Sequence, residues 1–339
     1  MPAFPRRHLL RRGVVSVYHC WTRCVRRAFL CGKDRYSGRD YEHRRDWIWD
    51  VEEQLAGLFA IEVEFRAEMQ NHLHIVLRTR PDVVQRWPRE KIVRNWLKIT
   101  RLKRGSSIDD WQPSQERVQQ ILADPKLVKR LARRLSNLSW FMGALCENIA
   151  RRANLEDGCR GHFFQSRYYC KLLDQLPAIL ACGIYTDLNQ IRAGEASTPE
   201  TSRHTSVYDR IQACLQRAQA ERQITAQELL EQRDRWMSPL ALLEGADADQ
   251  AALFTSVTGC RASDKGVLPM ALERYLELLD WTGRQLRGDK RGAIPTHLAG
   301  ILDRLGIQPD EWLPAIEALD EQFSHMNQQE EFVAAAGLC

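Results

Sequence analysis

Two histidines in one short stretch could hold a metal ion. His72 and His74 are separated by one residue in the run His-Leu-His-Ile-Val-Leu. Alternate residues of a β-strand lie on one face of the sheet, so this spacing predicts that both imidazoles face the same side. Neutral imidazole is a common metal ligand, and the pair could bind a divalent ion. The alternative is a pair of histidines that only pack within a strand.

A second stretch supplies a phenol and an amide at helical spacing. Tyr185 and Asn189 lie in a segment, residues 176–191, whose apolar stripe predicts a helix. Residues four apart share one helix face, and this face flanks the buried stripe. Beside a metal ion that draws charge from a phosphate oxygen, a tyrosine oxygen can attack phosphorus. The alternative for Tyr185 is an amphipathic residue at the edge of the core.

The elements that must position these residues follow from the spacing of apolar side chains. In chain order, the pattern predicts a central strand at 14–25, a helix at 43–59, a hairpin at 61–77, a basic helix at 83–104 and a closing strand at 163–173. In the first strand of the hairpin, alternation predicts one shared face for Ile61, Val63, Phe65 and Ala67.

This order predicts an α+β fold, a ferredoxin-like split β-α-β sandwich with an antiparallel sheet. Residues 105–160 are mostly polar or helical and predict a helical insertion before the closing strand. From about residue 205 onward the pattern predicts only helices, the last of them at 310–323. We therefore expect a first domain over residues 1–210 and a mostly α-helical C-terminal domain over residues 211–339.

The distribution of charge favours a polyanionic partner for the first part of the chain. The net charge of +5 divides into +13 for residues 1–239 and −8 for residues 240–339. Positive charge concentrates in residues 6–45 and 86–134, and tryptophans are interleaved with the second stretch. Arg and Lys neutralise phosphates, and aromatic faces stack on unpaired bases. The alternatives are a solvated basic surface and tryptophans that belong to the core.

The composition excludes a mainly disordered chain and a membrane-spanning protein. A hydrophobic fraction of 44% and a charged fraction of 27% are ordinary for a globular protein, and no run of about 18 apolar residues predicts a membrane span. The 10 cysteines, with no secretory signal, predict reduced thiols and a cytoplasmic location. The histidine near the first three of them, His19, is interpreted as incidental among buried small residues.

Four ordered blocks resemble one family, the single-tyrosine HUH transposases, in the branch called REP-associated tyrosine transposases. The blocks are VYHCWTRCV at 17–25, QNHLHIVLR at 70–78, GHFFQSRYYCKLL at 161–173 and YTDLNQIRAG at 185–194. They resemble a Tyr-His-x-x-x-Arg strand, an Asn-His-x-His block, an aromatic-Gln-x-Arg block and the block that bears the nucleophile. Two departures are Gln70 and Gln190, where the family usually has proline. The resemblance ends near residue 210.

The resemblance implies a transposase and endonuclease that cleaves and rejoins single-stranded DNA near hairpins. Tyr185 would form a 5′-phosphotyrosine link and release a 3′-hydroxyl. The metal ion would be Mg²⁺ or Mn²⁺, held by His72, His74 and Asn189. The expected partner is single-stranded or hairpin DNA, with no membrane, and the expected state is a monomer or a homodimer.

Basic residues are the candidates for DNA contacts. Arg23 and Arg167, on strands next to the histidine face, are expected to contact phosphates. The basic helix is expected to follow the DNA backbone through Arg94, Lys98 and Arg101.

Three other functions compete with this interpretation. The first is a domesticated, non-catalytic DNA-binding protein, against which the intact His, Tyr and Asn residues argue. The second is a metal-dependent phosphodiesterase that uses water and leaves no covalent protein–DNA adduct. The third is an HUH replication initiator or relaxase, which often carries paired tyrosines, whereas Tyr185 is single in its block.

Overall fold

A computed structural model of the chain contains a four-stranded antiparallel sheet. Its strands are β1 (Ser16–Arg23), β2 (Ile61–Glu68), β3 (His72–Thr79) and β4 (Tyr169–Leu173), in the order β2-β3-β1-β4. Every pair of neighbours is antiparallel. The structure describes residues 9–25, 29–34, 37–105, 108–219, 226–242, 253–285 and 291–305. The predicted α+β class with an antiparallel sheet is confirmed.

The described residues also form twelve α-helices. They are α1 (Arg44–Leu58), α2 (Pro81–Val84), α3 (Arg89–Lys103), α4 (Gln115–Leu122), α5 (Pro125–Leu135), α6 (Leu138–Glu156), α7 (Leu176–Asp187), α8 (Asn189–Ala193), α9 (Ser206–Gln219), α10 (Ala226–Glu231), α11 (Leu272–Arg284) and α12 (Ile301–Leu305).

Most predicted elements are present, with two helices divided. The predicted central strand is β1, which lies inside the sheet, and the predicted hairpin is β2 with β3. The predicted basic helix is two helices: α2 ends at Val84, and α3 begins directly after Pro88, whose extended backbone interrupts the helix. The predicted helix over 176–191 is α7 followed by α8, which join at Leu188. The predicted helix at 310–323 lies outside the described residues.

Each face of the sheet is covered by a separate apolar core. On one face, Leu73, Ile75 and Leu77 of β3 pack in a core with α1 and with the helices α3 to α6. On the other face, Val76 of β3 belongs to a second core, which includes residues of α7, α9, α11 and α12. We call these the first and second cores. The histidines of β3, which alternate with Leu73 and Ile75, lie on the face of the second core.

The prediction that four residues of β2 share one face is wrong. The pairing of β2 with β3 shifts between Val63 and Phe65, a β-bulge at Glu64. Ile61 and Val63 consequently pack in the first core, whereas Phe65 packs in the second. One extra residue exchanges the two faces of a strand, because side chains alternate with a period of two. Ala67, beyond the bulge, pairs with His74.

All four charged residues of β2 are fully buried. Glu62 pairs with Arg78 and Arg80. Arg66 contacts Glu52 of α1 at 2.6 Å, Asp209 of α9 at 3.1 Å, and Glu68. Buried charges are tolerated only when they are paired, and removal of one partner is strongly destabilising. These ion pairs therefore fix α1 and α9 against the edge of the sheet.

The outer edge of β2 is covered by residues from later in the chain. Glu68 N donates to His204 O, and Ser238 N donates to Val63 O. Arg66 N donates to the hydroxyl of Ser206, the first residue of α9. A sheet edge with unpaired backbone groups invites association with other chains, and this cover satisfies them.

The described residues after 211 contribute to both cores: Trp236 and Met237 pack in the first core, whereas α11 and α12 pack in the second. Tyr275 and Leu279 of α11 pack in the same cluster as Phe65 and Val76, and the Tyr275 hydroxyl donates to Asp187 at 2.7 Å. The predicted boundary between two domains at residue 210 stays a prediction. What the packing establishes is that α11 completes the core beneath α7.

Helix α7 approaches the sheet closely at a glycine. A Cβ built on Gly183 would lie only 2.6 Å from Cζ of Phe65, so any larger residue must displace the ring or the helix. The bulge in β2 is what turns Phe65 toward this helix. Tyr185 follows Gly183 by two residues, and its position therefore depends on this contact.

We expect Gly183→Ala to lower the free energy of unfolding by about 1 to 3 kcal/mol, because overpacking outweighs the gain in helix propensity. The matched control is Gly143→Ala within α6, where a Cβ meets nothing within 4 Å. That variant should gain about 0.5 to 1 kcal/mol. Urea unfolding of both variants is the measurement, and a similar gain in both would contradict the close contact.

The bulge residue Glu64 should make stability depend on pH. Its carboxylate lies 3.2 Å from Arg78 Nε, yet neither oxygen accepts a hydrogen bond, and burial raises its pKa to about 7. A carboxyl group whose pKa is raised on folding contributes stability below its unfolded pKa and loses it as pH rises through the folded pKa. From about pH 4.5 to pH 7 this group should remove on the order of 3 kcal/mol.

Glu64→Gln should lack this loss and become more stable relative to the wild type as pH rises from 5 to 8. Chemical unfolding at four pH values measures the difference between the two proteins. Glu116→Gln, at an exposed position of α4, is the control and should follow the wild type. Parallel pH profiles for Glu64→Gln and wild type would show that Glu64 is ionised throughout.

Candidate active site

The two histidines of β3 lie side by side, which confirms the prediction of a shared face. The ring centroids of His72 and His74 are 4.9 Å apart, with the rings nearly perpendicular at 84°. His74 is opposite Ala67 on β2 and Trp21 on β1, while His72 is opposite Arg23 at the end of β1. The small side chain of Ala67 leaves the space beside His74 to aromatic rings from other elements.

Both imidazoles use the same ring nitrogen for a hydrogen bond within the protein. His72 Nδ1 lies 2.7 Å from Oδ1 of Asn71, and because an amide oxygen only accepts, the histidine donates. His74 Nδ1 lies 2.9 Å from Nε2 of His19. The tautomer in which His74 donates leaves its Nε2 lone pair available, as in His72. Such hydrogen bonds on Nδ1 are typical of histidines that bind metal through Nε2.

Burial keeps these imidazoles neutral. Burial, followed by the positive charge of Arg23, lowers the pKa of His72 to about 4. Burial, followed by the neighbouring His19 and His72 rings, lowers the pKa of His74 well below its usual value. A neutral imidazole has a lone pair for a ligand, so both side chains are in the required state at neutral pH.

His19, interpreted from the sequence as incidental, contacts both His74 and Tyr185. It is buried on β1, with its ring stacked on His74 at a centroid distance of 5.1 Å and an angle of 17°. Its ring is also 6.2 Å from that of Tyr185. The sequence contained a signal for this position of His19, because alternation along β1 places it on the same face as Trp21 and Arg23.

Tyr185 approaches the histidines from α7. Its ring centroid is 5.6 Å from that of His74, and the rings are nearly perpendicular at 85°. The end of α7 is held in place by the buried carboxylate of Asp187, which accepts hydrogen bonds from Val207 N at 2.9 Å and from Ser206 and Tyr275. The half-buried phenol thus lies beside His74 and His19, on a helix whose C-terminal end is held in place.

Asn189 begins α8, one turn beyond Tyr185. Leu188, which joins the two helices, keeps a right-handed helical conformation, so Asn189 continues on the side of Tyr185. Its side-chain nitrogen is buried and has no hydrogen-bond partner among the described residues. A rotation of the amide by 180° exchanges its nitrogen and oxygen, which would present a ligand oxygen at that position.

Gln190, one of the two departures from the resemblance, has a structural role. Its side-chain amide donates to Glu68 O at 3.1 Å and to Arg203 O at 2.6 Å. These bonds connect α8 to the end of β2. A glutamine at this position therefore secures the helix that bears Asn189.

The candidate phosphate contacts Arg23 and Arg167 are both exposed. Arg23 is opposite His72 in the sheet register, and its charge acts on the His72 ring. Arg167 comes two residues before Tyr169, the first residue of β4. Both cations are therefore on or beside strands that form the histidine face.

The basic helix lies on the other side of the sheet. Residues of α3 pack in the first core, opposite the histidine face. Arg94 pairs with Glu90 at 2.7 Å, and Arg101 lies over the ring of Trp111 at 5.0 Å. Lys98 is half-buried on the same helix. The structure thus does not bring these three residues to the histidines, and their contact with DNA stays a prediction.

The tryptophans interleaved with the basic segment contact the protein's own cations. The Trp96 and Trp140 rings are 5.1 Å apart, and Arg134 lies over both, at 5.1 and 4.5 Å. Trp87, Trp96 and Trp140 pack against the first core. Cation–π contacts of this kind stabilise the fold, which favours the alternative of core tryptophans over base-stacking rings.

Comparisons with known proteins do not assign a family or a function to the chain. The chain matches no protein-family model, no curated protein and no solved structure. In the described ranges, no set of three or more His, Cys, Asp or Glu side chains is arranged to hold a metal ion. No helix of this part of the chain combines the length and apolar character needed to cross a membrane. The geometry of the site is therefore the basis for a function.

Proposed function

We propose that the protein is a single-strand DNA endonuclease and strand transferase of the tyrosine HUH type, with Tyr185 as its nucleophile. The observation that carries this proposal is the contact of the Tyr185 ring with His74, at 5.6 Å. A half-buried phenol beside two neutral imidazoles combines a nucleophile with a pair of metal ligands. The phenol is held by α7 and both imidazoles by β3.

The sheet supports the finer assignment of a ferredoxin-like split β-α-β sandwich. In this arrangement β1 and β2, connected through α1, lie on either side of β3, and β4 pairs with the free edge of β1. The strand order β2-β3-β1-β4, with antiparallel neighbours, fits it. α1 and the helices between β3 and β4 pack on the same face. The helical C-terminal part would then be an addition to this core.

The donor set fits a divalent metal ion. His72 and His74 would bind through Nε2, and the Asn189 amide, whose buried nitrogen has no partner in the described residues, would supply a third ligand after rotation. Mg²⁺ or Mn²⁺ would withdraw charge from a bound phosphate oxygen and make phosphorus more electrophilic. A site with so few protein ligands leaves positions for phosphate oxygens.

The chain's own residues would carry the covalent step. The Tyr185 oxygen attacks phosphorus, the bond from phosphorus to the 3′-oxygen breaks, and the phenolic proton ends on the released 3′-hydroxyl. The product is a 5′-phosphotyrosine link, and the reverse reaction with another 3′-hydroxyl rejoins strands. Arg23 and Arg167 would hold phosphates at the exposed rim of the site, while the imidazoles stay neutral within it.

We further propose a cytoplasmic location, for which the cysteines are the argument. None of the nine cysteines in the described part of the chain forms a disulfide. The cytoplasm keeps thiols reduced.

We expect Tyr185→Phe to reduce formation of a covalent DNA adduct by more than about 10³-fold, because the variant lacks only the nucleophilic oxygen. Affinity for hairpin DNA should stay within about twofold of the wild type. The measurement is incubation of full-length protein with structured single-stranded DNA and Mn²⁺, followed by a denaturing gel. Tyr208→Phe, on α9 beside Arg233, is the matched control and should form the adduct normally.

The outcomes separate the competing functions. DNA cleavage without an adduct would indicate a phosphodiesterase that uses water. Binding without cleavage would indicate a DNA-binding protein that keeps the fold. Adduct formation at the wild-type level by Tyr185→Phe would exclude Tyr185 as the nucleophile.

His72→Ala and His74→Ala should each weaken Mn²⁺ binding by at least about tenfold, because each variant lacks one of few protein ligands. Isothermal titration calorimetry without DNA measures this affinity independently of cleavage. His297→Ala, at an exposed position, controls for removal of a surface imidazole and should bind as the wild type. Thermal unfolding checks that the buried substitutions leave the fold intact. Unchanged Mn²⁺ affinity in both β3 variants would identify the histidines as core residues.

A further inference from the structure

One row of side chains crosses the histidine face from edge to edge. The register places Ala67, His74, Trp21 and Tyr169 opposite one another on β2, β3, β1 and β4. Directly opposite residues of antiparallel strands point to the same face and lie in contact. An aromatic pair therefore extends from the imidazoles to the outer strand of the sheet.

The aromatic pair is stacked, and its outer ring, Tyr169, is open to solvent. The rings of Trp21 and Tyr169 are 5.5 Å apart and inclined by only 15°. Tyr169 is 42% exposed, and no strand pairs with the outer side of β4 in the described part of the chain. Trp96 and Trp140, by contrast, carry Arg134 over their rings and pack against the first core. The Tyr169 ring is thus accessible to a planar ligand.

Positively charged side chains lie on both sides of the row that contains Trp21 and Tyr169. Arg23 follows Trp21 by two residues, and Lys171 follows Tyr169 by two residues on a strand that runs the opposite way. Each therefore lies about 7 Å from the row along its strand, on opposite sides. Neither cation, nor Arg167, makes an ion pair with any described residue. An aromatic face between cations is the arrangement that binds single-stranded nucleic acid, in which bases stack and phosphates are neutralised.

We propose that Trp21 and Tyr169 form a stacking surface for one unpaired nucleobase, with Arg23 and Lys171 contacting the adjoining phosphates. The surface would hold the single strand beside His74 and Tyr185 and so position the phosphate to be cleaved. Duplex DNA keeps its base faces covered, so the surface selects unpaired strands. The inference rests on the proposed single-stranded DNA substrate.

The test measures binding, not cleavage, of labelled single-stranded oligonucleotides by the full-length protein, using fluorescence anisotropy at fixed salt without metal. Tyr169→Leu should weaken binding by about 5- to 100-fold, and Tyr169→Phe, which keeps the ring, should bind as the wild type. Trp281→Leu is the matched control for loss of an exposed aromatic ring, since Trp281 lies on α11 and is 61% exposed. It should leave affinity unchanged.

Abasic nucleotides distinguish stacking from a general loss of affinity. In a series with one abasic position moved along the strand, one position should weaken binding by the wild type and have no further effect on Tyr169→Leu. Such non-additivity identifies two groups in contact. Equal losses by Tyr169→Leu for single strands and duplexes, or additive effects at every abasic position, would overturn the proposal.

The result is separable from that for the proposed nuclease. If adducts never form but Tyr169→Leu still loses affinity for single strands in the non-additive pattern, the stacking surface stands and the nuclease assignment fails. If adducts form normally and Tyr169→Leu binds single strands as the wild type, the stacking surface is excluded and the nuclease assignment stands.

Discussion

One extra residue in β2, Glu64, exchanges the two faces of that strand partway along its length. Before the bulge, Ile61 and Val63 pack with α1, and after it Phe65 and Ala67 face the histidines. The turned Phe65 ring lies against Gly183, which allows α7 to approach the sheet closely. Tyr185 meets His74 because of this approach. The same reversal directs Arg66 toward Glu52 of α1, so the bulge also sets the buried ion pairs.

The electrostatics of the site change from its interior to its rim. His72 and His74 are neutral because they are removed from water and, for His72, because Arg23 is near. Arg23 and Arg167 are exposed at the margin, where a charge keeps its hydration. Neutral imidazoles inside and cations outside would suit the proposed DNA substrate, with one phosphate in the site and its neighbours along the rim.

The two edges of the sheet differ in how they are covered. The edge of β2 is closed by hydrogen bonds from the segment that precedes α9 and by ion pairs with buried Asp209. The edge of β4 has an exposed tyrosine and no further strand among the described residues. Helices α9, α11 and α12, which follow the site in the chain, pack in the second core with α7 and Phe65 of β2, so the proposed single-stranded DNA would approach from the side of β4.

The sequence by itself determined most of the secondary-structure elements and the histidine pair on β3. The period of two along a strand predicted a common face for His72 and His74. Helical spacing predicted a common helix face for Tyr185 and Asn189. Both predictions depend only on local backbone geometry. Strict alternation gave a wrong prediction for β2, because nothing in the local sequence marks Glu64 as a bulge. Phe65 was therefore predicted on the wrong face of the sheet. Only the tertiary structure decided that His19 contacts His74, that Trp21 stacks on Tyr169, and that α3 lies on the opposite face. Those relations depend on which strands pair and in what register, and that choice is made by packing between segments distant in the chain.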